Sequence, residues 1–366
     1  MLDSVEWGEF RLGDLFEKLN LKCLKSNFKK DEDLSKTKST EFNLPLVNAK
    51  DGNNGIMYYA REKDFETIEL SIDIINDGAI STGNVYSQPQ KTGVLYNAYL
   101  IKPQFTINEQ LLHFFTSTIF KSIKHKFGYE NKAGWAKVQE EMIQLPIKDN
   151  KIDFNFMENF ITKLENEKIQ ELEAYLKASN LKDYNLTNEE QKVLEDFDSG
   201  KVKWNSFNIE TLFGKSTRGA RLKSNDRISG TLPFVTAGET DEGISAYIGN
   251  DVYVFDKNTT TIDMFGSAKY RNYEYGADDH ISVIYTQNLP KFASIFITSA
   301  IHKSSYTGEF HYGKNFYPKD ADRLNITLPT KNNKPNYKLM ETLISAIQKL
   351  VIKDVVLYTN NKVGKN

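Results

Sequence analysis

At 366 residues the chain is long for one hydrophobic core, and 39% hydrophobic with 12% aromatic residues is enough to fill two. The formal net charge of −2 lacks the strong basic excess of a free-standing nucleic-acid binder, so any such role must use local basic patches. No apolar run is long enough for a membrane span, the opening MLDSVEWGEF reads as no signal peptide, and the lone Cys23 cannot form an internal disulfide or a cysteine-based metal site. The expected setting is the cytoplasm.

In chain order, a short apolar opening at Phe10–Phe16 leads into a polar, lysine-rich loop. Strand-like runs follow at Gly55–Tyr59 and Val94–Ile101, with a turn at Asp77-Gly78. A helix is predicted around Leu111–Lys124, then a Leu-Pro strand end, an Asn-rich turn and a long amphipathic helix. That helix carries Met157, Phe160, Ile161, Leu164, Leu172, Tyr175 and Leu176. The order then restarts: Phe207–Phe213, a basic loop, strand-like runs at Tyr247–Phe255 and His280–Tyr285 with a turn at Gly249-Asn250, and a helix around Phe292–His302. A rather short closing helix ends the chain, with Met340, Leu343, Ile347, Leu350 and Leu357 at three- and four-residue steps.

The chain is therefore written twice. Val5-Glu6-Trp7 recurs as Val202-Lys203-Trp204, an offset of 197. LPLVNA from Leu44 matches LPFVTA from Leu232, and Leu145-Pro146 matches Leu328-Pro329. KDNKIDFNFMENFI (Lys148–Ile161) aligns with KNNKPNYKLMETLI (Lys331–Ile344) at six identities in fourteen, where chance gives about one. The shrinking offset places extra residues in the first copy, mostly in Asn27–Glu41. The expected organisation is a first globular copy at 1–150, its long helix and linker at 151–200, a second copy at 201–335 and its helix at 336–366, an α+β protein overall. The two stripes suit pairing of helices with each other, with Met157, Phe160, Ile161, Leu164, Met340, Leu343, Ile347 and Leu350 at the seam. Packing of each helix on its own copy is the plainer alternative. About 23 residues at 1.5 Å each give roughly 35 Å, one turn of B-DNA.

Signatures of catalysis are sparse. No Pro-Pro pair offers the Asn/Asp-Pro-Pro-aromatic segment of an amino-methyltransferase, and the five histidines are scattered, so no metal site is expected. Gly308–Asn315 resembles a phosphate-binding loop but has Asn where Ser or Thr must meet magnesium. Asp251, Asp256 and Asp263 form no recognisable nuclease pattern. Clusters of cations and aromatics recur instead at matching points. The first copy offers Lys25, Lys29 and Lys30, then Lys132, Trp135 and Lys137. The second offers Arg218, Arg221 and Lys223, then Lys269, Tyr270 and Arg271, then Lys314, Asn315 and Tyr317. Cations neutralise phosphates, Arg and Asn read base edges, and aromatics pack on sugars and bases, so these are candidate contacts to double-stranded DNA.

Taken together, Trp7 with Leu12–Phe16, Trp204 with Ile209–Phe213, the LPLVNA and LPFVTA segments, FGSAKYRNYEYGADDH (Phe265–His280), YGKNFYP (Tyr312–Pro318) and the Leu-Pro turn before each long helix carry a resemblance. In this order, twice over, they resemble the specificity (S) subunits of type I restriction–modification systems and the similar subunits of type IIB (BcgI-like) systems. The resemblance implies two target recognition domains, each reading half of a split DNA sequence. It also implies two antiparallel helices that act as spacer and dock adenine-N6 methyltransferase subunits. S-adenosylmethionine and magnesium would belong to those partners and to a restriction subunit, leaving this chain without cofactor or catalysis. A duplicated interaction scaffold without DNA contact, and a self-sufficient enzyme, remain the rival readings.

Overall fold

The computed structural model describes Leu2 and residues 5–363. Two compact units emerge, Met1–Glu171 and Leu172–Asn366. The first runs β1 (Glu6–Arg11), α1 (Leu12–Leu15), β2 (Phe16–Lys18), α2 (Lys30–Asp33), β3 (Leu44–Val47), β4 (Ile56–Ala60), β5 (Ser71–Ile75), β6 (Val85–Gln88), β7 (Gly93–Val94), β8 (Ala98–Pro103), α3 (Glu109–Ile123), α4 (Trp135–Val138), β9 (Met142–Lys148), β10 (Lys151–Ile152) and α5 (Phe154–Ala178). The division falls within α5. The second continues α6 (Asn188–Asp198), β11 (Trp204–Asn208), α7 (Ile209–Phe213), β12 (Thr217–Arg218), β13 (Ser229–Val235), β14 (Ile244–Ile248), β15 (Thr259–Asp263), β16 (Ala268–Arg271), β17 (Gly276–Ala277), β18 (Ile281–Ile284), α8 (Lys291–Ser305), α9 (Pro318–Arg323), β19 (Asn325–Lys331), β20 (Lys334–Pro335) and α10 (Tyr337–Val363).

The duplication is reproduced strand for strand. Each unit holds three small sheets: β1-β9-β10 with β2-β8-β5-β6 and β4-β3-β7 in the first, β11-β19-β20 with β12-β18-β15-β16 and β14-β13-β17 in the second. The repeated motifs turn out to be partners, for Trp7 opposes Pro146 on the β1–β9 ladder and Trp204 opposes Pro329 on β11–β19. Strands β9 and β19 share one burial alternation, which buries Leu145 and Leu328 completely. The Asn-rich turns are tight two-residue hairpins with positive φ at Asp149-Asn150 and Asn332-Asn333, a conformation that Asp and Asn tolerate better than other side chains. One residue past each hairpin, Asp153 accepts from the Phe156 N–H at 2.9 Å and Asn336 from the Leu339 N–H at 3.1 Å. These caps start both closing helices.

The core of each unit lies between its four-stranded sheet and the following helix. Ile72, Ile74 and Ile101 meet Leu112, Phe115 and Ile119 of α3, and Ile262 and Ile284 meet Ala293, Ile297 and Ile301 of α8. Each such isoleucine contributes about 1.5–3 kcal/mol by leaving water.

Three expectations need correction. Val94–Ile101 is two strands, because Leu95–Asn97 break the run and the Asn97 N–H turns to the Asn48 side chain. Tyr247–Phe255 is no strand past Ile248: the Gly249 N–H bonds to Ile228 O, and the Asn250 amide ties to Ile228 and Asp226. The second closing helix is not short but spans 27 residues, Tyr337–Val363.

The seam residues also divide differently from expectation. Met157 and Ile161 are buried in the core of their own unit with Phe160 packed against it, Met340 is buried in the core of the second unit, and Leu343 is buried. Met157, Phe160, Ile161 and Met340 therefore serve their own units. Leu164, Ile347 and Leu350 are 40% or more exposed, and Val351, Val355 and Tyr358 extend that exposed stripe along α10.

Candidate DNA interface

In the first unit the C-terminal ends of β2, β3, β5 and β7 and the start of β8 share one rim. Ile75 opposes Ala98, Val47 opposes Val94, and the Leu95 N–H bonds to Val47 O. Asn97 O accepts the N–H groups of Asn76 and Asp77, which joins the strand ends. The loop after α3 closes the rim: Lys132 pairs with Asp77, the Ala133 N–H reaches Asn76 O, and Lys124 Nζ donates to Ile80 O and Thr82 O. Partial burial lowers the Lys124 pKa. Side chains with no part in this framework point outward, among them Ile80, Tyr96 and Tyr129, each more than 70% exposed.

The second unit builds the same rim from other residues. The Asp278 N–H bonds to Val235 O, matching the Leu95 contact, and Ser305 Oγ and the Phe316 N–H tie the loop after α8 to the β15–β16 turn. Asp263 accepts from the Phe265 and Ser267 N–H groups within that turn, and burial raises its carboxyl pKa. Asp263 is therefore a turn-forming residue. Tyr312 stacks edge-on against Phe265 and is largely exposed, as is Tyr306. Asp278, Asp279 and His280 crowd the β17–β18 connection, where His280 Nδ1 lies 3.2 Å from Asp279 and Arg221 faces the same carboxylate at 3.7 Å.

A cleft opens on each rim at the same point of the repeat. In the first unit about 230 Å³ lies between Lys18–Leu21 and Val94–Tyr99. In the second about 320 Å³ lies among Thr217–Ala220, Val252–Phe255, Ala277 and Tyr285.

The sequence-derived candidates distribute unevenly over this geometry. Arg218 lines the second cleft, Arg221 and Lys223 follow it on the same loop, and Lys132 stands on the first rim. Lys30 lies over the Tyr58 ring, and both that phenol and Tyr96 raise its pKa. Lys25 is tied to buried Asp33, whose carboxyl is held at about 2 by Lys25, the Lys29 N–H and Arg61 despite its burial. Lys29 pairs with Glu32, Lys137 donates to Asn131, and Lys314 pairs with Glu309. Asn315 is half-buried, and the Tyr317 N–H donates to the Asp320 carboxylate at 2.9 Å, capping α9.

Four candidates belong to the frame, which corrects the sequence reading. Arg271 is 1% exposed, and its guanidinium donates to Thr261 Oγ1 and Tyr273 Oη inside the sheet, out of reach of a phosphate. Tyr270 donates to Asn258 at the far end of β15, Lys269 is bound between Glu239 and Ser267, and Trp135 packs on the first core against Tyr99. The Gly308–Asn315 segment follows helix α8 and lies on the rim, so it lacks the strand that a phosphate-binding loop requires. Sequence reasoning passed over Ile80, Tyr96, Tyr253 and Tyr285. Only the turn chemistry around Gly78 and the break at Asn97 signalled that the first two leave the core.

Two copies of one α+β frame, each with a loop-built rim of cations and exposed aromatics and each closed by a long helix, make this a tandem-repeat binding protein. The model of the type I restriction modification DNA specificity domain family matches residues 4–174 and 201–357, and the chain belongs to that family. It is 22% identical over 363 residues to the specificity subunit S.BcgI of the type II restriction enzyme BgcI of Heyndrickxia coagulans, covering 96% of this chain and 97% of that one. The crystal structure of a type I restriction–modification S subunit from M. genitalium superposes with a TM-score of 0.61 at 13% identity, over 99% of this chain and 93% of the other. No helix among the described residues is long and apolar enough to cross a membrane.

Proposed function

We propose that this chain is the DNA sequence-specificity subunit of a cytoplasmic restriction–modification complex, with each unit reading one half of a bipartite double-stranded target through its rim. The observation that carries the reading is the family match to both copies, joined to the recurrence of one rim in both units. Helices of 25 and 27 residues are about 37 and 40 Å long, close to the helical repeat that separates half-sites, and pair antiparallel as the spacer. Their exposed apolar residues, Leu164, Ile347, Leu350 and Val351, dock the methyltransferase subunits. Those partners hold S-adenosylmethionine and methylate adenine at N6. A restriction subunit brings the magnesium chemistry, and this chain performs neither step. A net charge of −2 fits a subunit that shares phosphate attraction with its partners.

The test is exchange of residues 10–137 for the matching segment of another family member, followed by single-molecule methylome sequencing. One half of a split methylated motif changes and the other stays. A change in both halves or in neither overturns the modular reading.

A further inference from the structure

Strands β2 and β12 are edge strands that end on the rim, and their registers place Asn20 and Arg218 at one position of the repeat. The Leu19 N–H bonds to Leu100 O, while Thr217 opposes Val283, and residues 100 and 283 hold the same place opposite Asp73 and Thr261. Asn20 and Arg218 are thus equivalent, and each lines its unit's cleft.

The backbone around both is fixed. Gly219 passes so close to β17 that a Cβ there would sit 1.9 Å from Ala277 O, and the Ala220 N–H bonds to that oxygen at 3.0 Å. On the other unit the Lys22 N–H is held by Glu66. Yet neither side chain is engaged among the described residues, although Arg11, Arg61, Arg221, Arg227 and Arg271 all have partners. A pinned backbone fixes where each exposed, unpartnered side chain starts, which lowers the ordering cost of meeting a partner outside the chain.

We infer that Arg218 reads a guanine in the half-site of the second unit and Asn20 an adenine in that of the first; this rests on the DNA-specificity reading above. The guanidinium matches the paired acceptors O6 and N7 of guanine, and a carboxamide matches the donor and acceptor of adenine N6 and N7. A phosphate clamp is best made by a cation, and at this position the first unit has an uncharged amide. What the two side chains share is a planar, two-point hydrogen-bonding edge.

The experiment is methylome sequencing of the source strain with the full-length gene deleted or replaced by Arg218→Lys, Arg218→Asn or Asn20→Arg. Lysine keeps the charge without the two-point fork, so Arg218→Lys is expected to cut discrimination for one guanine in one half-site by about 5- to 140-fold and leave the other half-site intact. Asn20→Arg is expected to remove one adenine preference from the first half-site. Arg218→Asn, if it weakens methylation at all sites evenly while Arg218→Lys keeps the motif, marks a phosphate contact and overturns the inference. Deletion that leaves every split motif in place overturns the specificity reading itself, and the inference with it.

Discussion

Replacing Lys349 by Met tests how the linker helix α6 is held to α10. Glu190 is 5% exposed, and its carboxylate accepts from Ser345 Oγ at 2.6 Å, the Thr187 N–H at 2.8 Å and Lys349 Nζ at 3.0 Å. Lys349 also meets Asp183 at 2.9 Å and donates to Asn185 O at 3.0 Å. Burial works to raise the Glu190 pKa, but these bonds outweigh it and hold the carboxyl at about 2. A carboxyl that ionises near 4.3 in a free chain and near 2 here contributes about 3 kcal/mol at neutral pH. Because the folded value is the lower one, that contribution is present above about pH 4.3 and is lost as pH falls towards 2. Without the ammonium the charge stays buried beside two neutral donors, and the expected loss is about 3–5 kcal/mol. For a unit of this size that is roughly 6–20 °C in Tm by circular dichroism, with faster amide exchange across Asn188–Asp198. The double variant Lys349→Met with Glu190→Gln should recover most of the loss. If the single losses simply add, to within about 0.5 kcal/mol, the pair is uncoupled and the reasoning fails.

Asp73 is fully buried, both its oxygens lack a hydrogen-bond partner among the described residues, and burial pushes its pKa far up. A raised folded value means stability is greatest below the unfolded pKa and declines as pH rises, so Asp73→Asn should stabilise the protein by about 1–3 kcal/mol at pH 8 and flatten urea midpoints between pH 5 and 8. Met340→Ala should cost about 2–5 kcal/mol in thermal unfolding, whereas Leu350→Asp should leave Tm nearly unchanged and, if α10 docks a methyltransferase, abolish co-elution on gel filtration. Gly219→Ala must push the loop off β17, and a DNA-binding titration of the assembled complex should show weakened specific binding with Tm shifted by less than about 3 °C.

Legibility from sequence followed how local the cause is. The Leu-Pro motifs announced strand ends and the tryptophan motifs a repeat; the two turned out to face each other, but only their recurrence, not their pairing, was written in the order of residues. The hairpins at Asp149-Asn150 and Asn332-Asn333, and the capped helices after them, depend on a few neighbours and were readable in place. The heptad-like stripes were readable as apolar faces, yet a period says nothing about what covers a face. Hence Met157 and Met340, given to a partner helix, lie in their own cores. Charge counting failed for a similar reason. Arg271 and Arg218 look alike in sequence, and only the non-local pairing of β15 with β16 shows that one is enclosed while the other stands free on an edge strand.

Duplication leaves a physical trace in what it kept. The loops Asn48–Gly55 and Thr236–Gly243 share three consecutive left-handed residues, Asn53-Asn54-Gly55 and Asp241-Glu242-Gly243, and the same closure, an N–H to O bond of 3.1 and 2.8 Å. Side chains there changed from amides to acids without disturbing the path. The β5–β6 turn takes nine residues, Asn76–Asn84, where the β15–β16 turn takes four, Met264–Ser267, and both still rest on the loop after the next helix. Main-chain bonds and fully buried positions such as Leu145 and Leu328 therefore hold the frame. Exposed substitutions on the rim cost little stability, usually within about 0.5 kcal/mol. Selection on what each rim touches can then act almost independently of selection on folding. Asn20 against Arg218 is a difference of that kind: unlike chemistry at one address in two equivalent clefts.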